Sequence, residues 1–290
     1  MVDPTGDPTV ARVANRPPFP VGWFVVADLN EVPEGALVPL AVFGQDLAVG
    51  RTPAGRALVT HSVCPHLGAD LAAGGRIDDD RVVCPLHEWC FSHGGACTSA
   101  ADGPIPETVV LRVWPTEVVD GIVWAFNGRD GEVPASAPPA LPLVTGPMSD
   151  ADRSHRPGHP EDVLAGILAS AGVTDGSPAD GDPDTWAGTA PDGLRVRVHG
   201  PGTLVVWPPD GTPVVVHVTP VDGFGLKVRT SDAVPPSGTD GVPGSLGNGS
   251  FGHWYRRFDR SSSAARRPVR SGRGARRRAL ADGVGETPPD

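Results

Sequence analysis

At 290 residues the chain could form one large or two small domains, but Gly and Pro make up about a quarter of it, so much of the length is not core. Charge is divided unevenly: Arg256 to Asp290 carries ten Arg against four acids, so a total of −10 leaves −16 on residues 1–255. No stretch approaches the roughly eighteen consecutive apolar residues of a membrane helix, and the N-terminus lacks an apolar signal region, so no membrane span is expected and the cytoplasm is the expected location.

Residues 1–17 are rich in Pro, Asp and Thr without periodicity and read as a disordered arm. Residues 18–127 read as the first domain. Short β-rich runs (WFVVA, ALVPLAVF, DLAVG, RALVTH) are separated by the turn signals Gly44-Gln45 and Pro53-Ala54-Gly55, which predicts an antiparallel β scaffold presenting loops. Further on, LRVW and IVWAF flank Asp120-Gly121, a strong hairpin signal. Trp114, Trp124 and Phe126 in these runs read as core aromatics rather than an electron path.

Residues 128–160 form a Pro/Gly-rich linker. Within residues 161–230, Val163, Leu164, Ile167 and Leu168 predict a short helix over Asp162–Ala171. A loose stretch, GVTDGSPADGDPDTWAGTAPDG, follows. It leads to β-like runs at Leu194–His199, Thr203–Trp207, Val214–Thr219 and Gly225–Arg229, expected as a small antiparallel sheet on the helix. Residues 231–290 read as a low-complexity, Arg-rich tail, for which nucleic-acid binding is not the expected role.

The chemistry lies between Cys64 and Cys97. Cys64-Pro65-His66 and Cys84-Pro85-Leu86-His87 are two ligand pairs with seventeen residues between them. Two thiolates and two imidazoles in C-x-H…C-x-x-H order suit a closed zinc site or a Rieske [2Fe–2S] centre. A zinc site usually opens with C-x₂₋₄-C and ends with H-x₃₋₅-H, and neither occurs here. A Pro after each Cys fixes φ in a tight loop, which favours the iron–sulfur reading with Cys64, His66, Cys84 and His87 as ligands. Cys90 and Cys97 remain as small buried apolar residues or as a disulfide pair, and four cysteines in all suit a reducing compartment.

On these residues, Pro20 to Phe126 resembles the N-terminal Rieske domain of Rieske-type non-haem iron oxygenases, especially the branch acting on steroids and sterols. The likeness runs through PFPVGWFVVADLNEVPEGALVPLAVFGQDLAVGR, CPHLGADL, CPLHEW and LRVWPTEVVDGIVWAF. Respiratory-type Rieske proteins carry an extra Cys in each loop, where this chain has Ala69 and Leu86. They also carry hydroxyl donors to the cluster sulfurs, where it has Trp89 and Phe91. Fewer hydrogen bonds to sulfur imply a potential near the low end of the about −150 to +300 mV Rieske range, and a flavin- or ferredoxin-type reductase as electron donor.

The same resemblance implies a C-terminal helix-and-sheet domain, helix-grip-like, with a mononuclear iron held by two His and one carboxylate. The family's helix opens with His-Pro, as does HPEDVLAGILASAG from His159. Ala165-Gly166 then stand where Glu-Asn is expected, Ala169 where a bridging Asp is expected, and Gly172 where the first ligand His is expected. The expected fold is therefore mainly β: an antiparallel Rieske domain, a small α+β remnant domain and disordered termini, with no mononuclear Fe(II). A substitute site from His155, His159, Glu161, Asp162, His199 and His217 stays open; the plainer reading makes the first two linker residues and the last two strand residues. Three functions follow: an electron-carrying Rieske protein, an active monooxygenase or desaturase on a steroid-like substrate, or a redox-sensing module that binds a partner. Family members resemble head-to-tail trimers, and Ala169 removes the chemical reason for that arrangement, though a homo-oligomer remains an expectation.

Overall fold

The computed structural model describes residues 18–142, 149–150, 156–231 and 250–259, except positions 102, 106, 130, 131 and 210. The arm at 1–17, His155 and the Arg-rich stretch from 260 lie outside the described residues. The fold is mainly β and antiparallel.

The first part holds eleven strands: β1 (Gly22–Asp28), β2 (Leu37–Val42), β3 (Gln45–Arg51), β4 (Ala57–His61), β5 (Arg76–Asp78), β6 (Arg81–Val83), β7 (Cys90–Phe91), β8 (Cys97–Ser99), β9 (Val113–Trp114), β10 (Thr116–Val119) and β11 (Ile122–Asn127). They pair in the orders β1-β11-β10, β2-β3-β4-β9 and β5-β6-β7-β8. Asp120-Gly121 forms the expected two-residue turn, with both residues at positive φ. The first hairpin turns on Phe43-Gly44, one residue earlier than expected. Phe43 accepts φ +56° because its ring is fully buried against Phe24, 5.5 Å away between centroids. Trp114 and Trp124 are buried in the core, as read.

The second part is one sheet with two helices. Its strands are β12 (Ser149–Asp150), β13 (Arg156–Pro157), β14 (Gly176–Ala179), β15 (Asp182–Thr189), β16 (Arg195–His199), β17 (Thr203–Trp207), β18 (Val214–Pro220) and β19 (Gly225–Thr230); the helices are α1 (Pro160–Ser170) and α2 (Ser250–Asp259). The sheet runs β12-β19-β18-β17-β16-β15-β14, with β13 also on β19.

Composition misled twice here. The loose stretch holds the hairpin β14–β15, whose Gly176 and Gly188 oppose each other in register. Gly is needed at both, since a Cβ would come within 3.0 Å of the Trp186 ring. The other case is residues 250–259, counted within the Arg-rich tail, which form helix α2. Phe251, Trp254, Tyr255 and Phe258 are spaced three or four apart and close the core over the sheet.

The sheet has two different faces. Val196, Val198, Leu204, Val206, Val216, Val218, Leu226 and Val228 pack under α1 and α2 with Trp186. The alternate residues face the first part, where Thr219 Oγ1 donates to the Val25 carbonyl at 2.6 Å. Gly202 is required at this contact, because a Cβ there would lie 2.6 Å from the Phe24 ring.

Candidate iron–sulfur site

Two loops of one design form the candidate site, one between β4 and β5 and one between β6 and β7. In the first, the Cys64 amide donates to the Ala69 carbonyl at 2.8 Å, and the Gly68 amide donates to the Cys64 carbonyl at 3.0 Å. In the second, the Cys84 amide donates to Trp89 at 2.9 Å and the Glu88 amide donates to Cys84 at 3.1 Å. The Pro after each Cys holds its φ, and the residue four after each Cys reverses the chain with positive φ. His61 supports the first loop by accepting the Val63 amide on Nδ1 at 3.1 Å, a role the sequence reading missed. Burial holds its pKa below the usual histidine value, and the neutral ring that results can serve as that acceptor.

The loops bring the four residues together. Cys64 and Cys84 are buried at 2% and 1% exposure and carry free thiols. Burial, followed by the adjacent Cys84, pushes the Cys64 thiol up to about 12. The His66 and His87 rings stand 5.0 Å apart, edge to face, and both are half-buried. His66 is stacked at 3.9 Å on Trp89, which fixes the plane of its ring. Cys90 and Cys97 are half-buried free thiols on adjacent strands, outside this group.

Two buried thiols behind two partly exposed imidazoles fit a [2Fe–2S] cluster. Deprotonating them would leave negative charge out of contact with water, and iron would supply the compensating charge. When bound, such a cluster accepts and releases one electron at a time. Around the histidines, Leu67 and Leu86 are 68% and 58% exposed, so the open end of the site is apolar.

Of the residues weighed for a second iron, His159, Glu161 and Asp162 lie together at the start of α1, apart from His199 and His217. His199 and His217 lie on the sheet face turned toward the first part, opposite to the face covered by α1. His159 is no linker residue: it is 3% exposed and caps α1, its Nδ1 accepting the Glu161 amide at 3.2 Å. Its Nε2 lies 3.7 Å from Asp259 Oδ1 at the end of α2. Among the described residues no group of three His, Cys, Asp or Glu is arranged to hold a metal ion. Gly172, at φ +73°, ends α1. Its amide donates to the Ala169 carbonyl at 3.0 Å, and the Val173 amide donates to Leu168 at 2.9 Å.

Residues 22–114 match the Rieske [2Fe–2S] domain family, so the chain carries a Rieske domain. Its curated relatives include cholesterol 7-desaturases and a chlorophyllide a oxygenase. It is 38% identical to the cholesterol 7-desaturase nvd of Bombyx mori over 119 residues, covering 41% of this chain and 26% of that protein. With the cholesterol 7-desaturase of Caenorhabditis elegans it shares 32% over 139 residues, covering 46% and 32%. The chain thus spans between a quarter and a third of the length of these relatives. In fold it resembles apo dicamba monooxygenase, with a TM-score of 0.52 at 18% identity over 94% of this chain and 92% of that one. The oxygenase–ferredoxin complex of carbazole 1,9a-dioxygenase gives 0.53 at 16% over 79% and 76%. The protein is related to Rieske oxygenases. Among the described residues, no helix is long and apolar enough to cross a membrane.

Proposed function

We propose that this chain carries single electrons on its Rieske cluster, with a C-terminal part that keeps the oxygenase fold but not the mononuclear iron. Cys64 and Cys84 hold the inner iron as thiolates, and His66 and His87 hold the outer iron through imidazole. Electrons enter across the apolar rim of Leu67 and Leu86, which suits docking of a flavin- or ferredoxin-type reductase.

One observation carries this reading: α1 stops at the position where the family's first helix ligand stands. Gly172 occupies that position as the left-handed residue that ends the helix, so the turn that would present the ligands is lacking as well as the imidazoles. The helix–sheet interior is packed with side chains, including Leu164, Leu168, Trp186 and Tyr255, each at most 1% exposed. With Ala169 in place of the bridging Asp, the reading also requires no electron transfer between subunits.

The test is iron, zinc and acid-labile sulfide per chain on anaerobically purified protein. About two irons with two sulfides are expected. About three irons with two sulfides would mean a mononuclear site exists, and the zinc-bound form would reject the cluster itself. The likeness to cholesterol 7-desaturases supports a second reading, a desaturase or hydroxylase acting on a steroid-like substrate. That reading gains from substrate-dependent NAD(P)H consumption with a supplied reductase.

A further inference from the structure

Away from the loops, a cavity of about 600 Å³ opens where β1, α2 and the ends of β15 and β16 meet segment 132–139. The Trp23 indole holds that segment in place by donating Nε1–H to the Ser136 carbonyl at 2.8 Å. One wall is apolar: Trp23 and Phe126, edge to face at 5.5 Å, with Pro138, Pro139 and Phe258. The lining also carries Asp182, Thr185 and His199.

These three form a hydrogen-bonded chain with a defined direction. Thr185 Oγ1 lies 2.6 Å from Asp182 Oδ2 and 2.9 Å from His199 Nδ1. A carboxylate only accepts, so the Thr185 hydroxyl hydrogen goes to Asp182. The hydroxyl oxygen must then accept from His199, which places the ring hydrogen on Nδ1. Nε2 is left as the acceptor nitrogen of a residue that lines the cavity. Burial holds the His199 pKa below the usual histidine value, against the attraction of Asp182, so the ring stays neutral. The other charges in the lining are Glu132, Asp184 and Arg257. Arg257 is 3.8 Å from Asp184, so acids are in excess and an anion is disfavoured.

A second Thr–His pair in the same sheet serves as an internal comparison. Thr203 Oγ1 and His217 Nδ1 are also 2.9 Å apart, but His217 is fully enclosed with Trp124 against its ring at 5.4 Å. Such a pair is therefore not a site by itself. His199 differs in having the acidic anchor and the cavity.

We propose that this cavity binds a small, uncharged apolar molecule bearing a hydroxyl group, which donates its hydrogen to His199 Nε2 while its body lies on Trp23, Phe126 and Phe258. The test uses the full chain with its cluster, titrated with 2-naphthol, naphthalene and 2-naphthoate by calorimetry. 2-Naphthol should bind about three- to tenfold more tightly than naphthalene, the worth of one neutral hydrogen bond, and 2-naphthoate should bind more weakly still. His199→Phe should erase the preference for naphthol, and Thr185→Val should reduce it by releasing the ring tautomer. Equal binding of naphthol and naphthalene, no binding of naphthol, or a preference that survives His199→Phe overturns the proposal. Should His199→Phe fail to fold, the ¹⁵N resonances of His199 in the unmodified protein decide. On adding 2-naphthol, Nε2 must shift while Nδ1 stays protonated, and a silent Nε2 rejects the site.

Discussion

Gly68 and Glu88 occupy the same place in their two loops, four residues after Cys64 and Cys84, and both have left-handed backbone, at φ +77° and +53°. One loop uses a residue suited to that conformation and the other does not. A Cβ on Gly68 would meet nothing nearer than Val63 Cγ1 at 3.9 Å, so Gly68→Ala should cost about 1–2 kcal/mol from φ alone. Glu88→Gly relieves the same strain but adds freedom to the unfolded chain. It also loses only an exposed 3.4 Å contact with Arg76. A change within about 1 kcal/mol, toward stability, is expected. Loss of visible absorbance on heating measures both; equal destabilisation by the two variants would contradict the shared loop design.

The ligand assignment makes a spectroscopic prediction. Cys84→Ser or His87→Ala should abolish the Rieske absorption and its paramagnetic signal, and a variant that keeps the native spectrum removes that residue from the cluster. In the same preparation the midpoint potential should lie near the low end of the about −150 to +300 mV range, because Trp89 and Phe91 offer the sulfurs no hydroxyl. A clearly positive midpoint rejects that account of the cluster's surroundings.

His217 predicts sensitivity to acid. Burial, followed by the nearby Arg229, holds its pKa at about 3. The unfolded histidine takes up a proton below about 6.5 and the folded one does not, so stability falls as pH drops from about 6.5 toward about 3. The slope from this residue approaches about 1.4 kcal/mol per pH unit, and above pH 6.5 it contributes nothing. His199, with its lowered pKa, acts in the same direction. Urea unfolding midpoints between pH 7.5 and 5 should show the decline, and His217→Gln should flatten it by about one proton.

Helix α2 is part of the core. Trp254 is 2% exposed, and its Nε1 donates to the Pro183 carbonyl at 2.9 Å. Trp254→Ala should therefore cost about 3–5 kcal/mol. Tyr255→Phe, which removes a 2.7 Å bond to the Pro201 carbonyl, should cost about 1 kcal/mol. The exposed neighbour Arg256→Ala should stay within about 0.5 kcal/mol. If Trp254→Ala proves as mild as Arg256→Ala in urea unfolding, the helix is not packed as described.

Much of this was legible in the sequence, for reasons that differ by region. The two loops could be read because their pattern is local: Cys, Pro and His at fixed spacing determine a small loop wherever it sits. The Asp120-Gly121 turn and α1 were readable for the same reason. Strands β14 and β15 were hidden because Gly176 and Gly188 serve a contact with Trp186, whereas by composition they signal loop. Helix α2 was hidden because its aromatic face adjoins an Arg-rich run, and only the sheet beneath it gives that face something to bury against. His199 took its partner from a neighbouring strand, Thr185, and His159, besides capping the helix that follows it, meets Asp259 at the end of α2; no local pattern encodes either contact.

The two parts of the chain are fastened by backbone. Val21 donates to the Phe258 carbonyl at 2.9 Å, Phe43 to Pro220 at 2.9 Å, and Gly44 to Val221 at 2.7 Å. Such bonds join the chain near its beginning to α2 and to the end of β18, and they do not depend on side-chain identity. These bonds hold the first part against the sheet and α2 at both ends of the contact. On the proposed electron-carrying role, donor and acceptor would each have to reach the rim formed by Leu67 and Leu86 while the two parts keep their places.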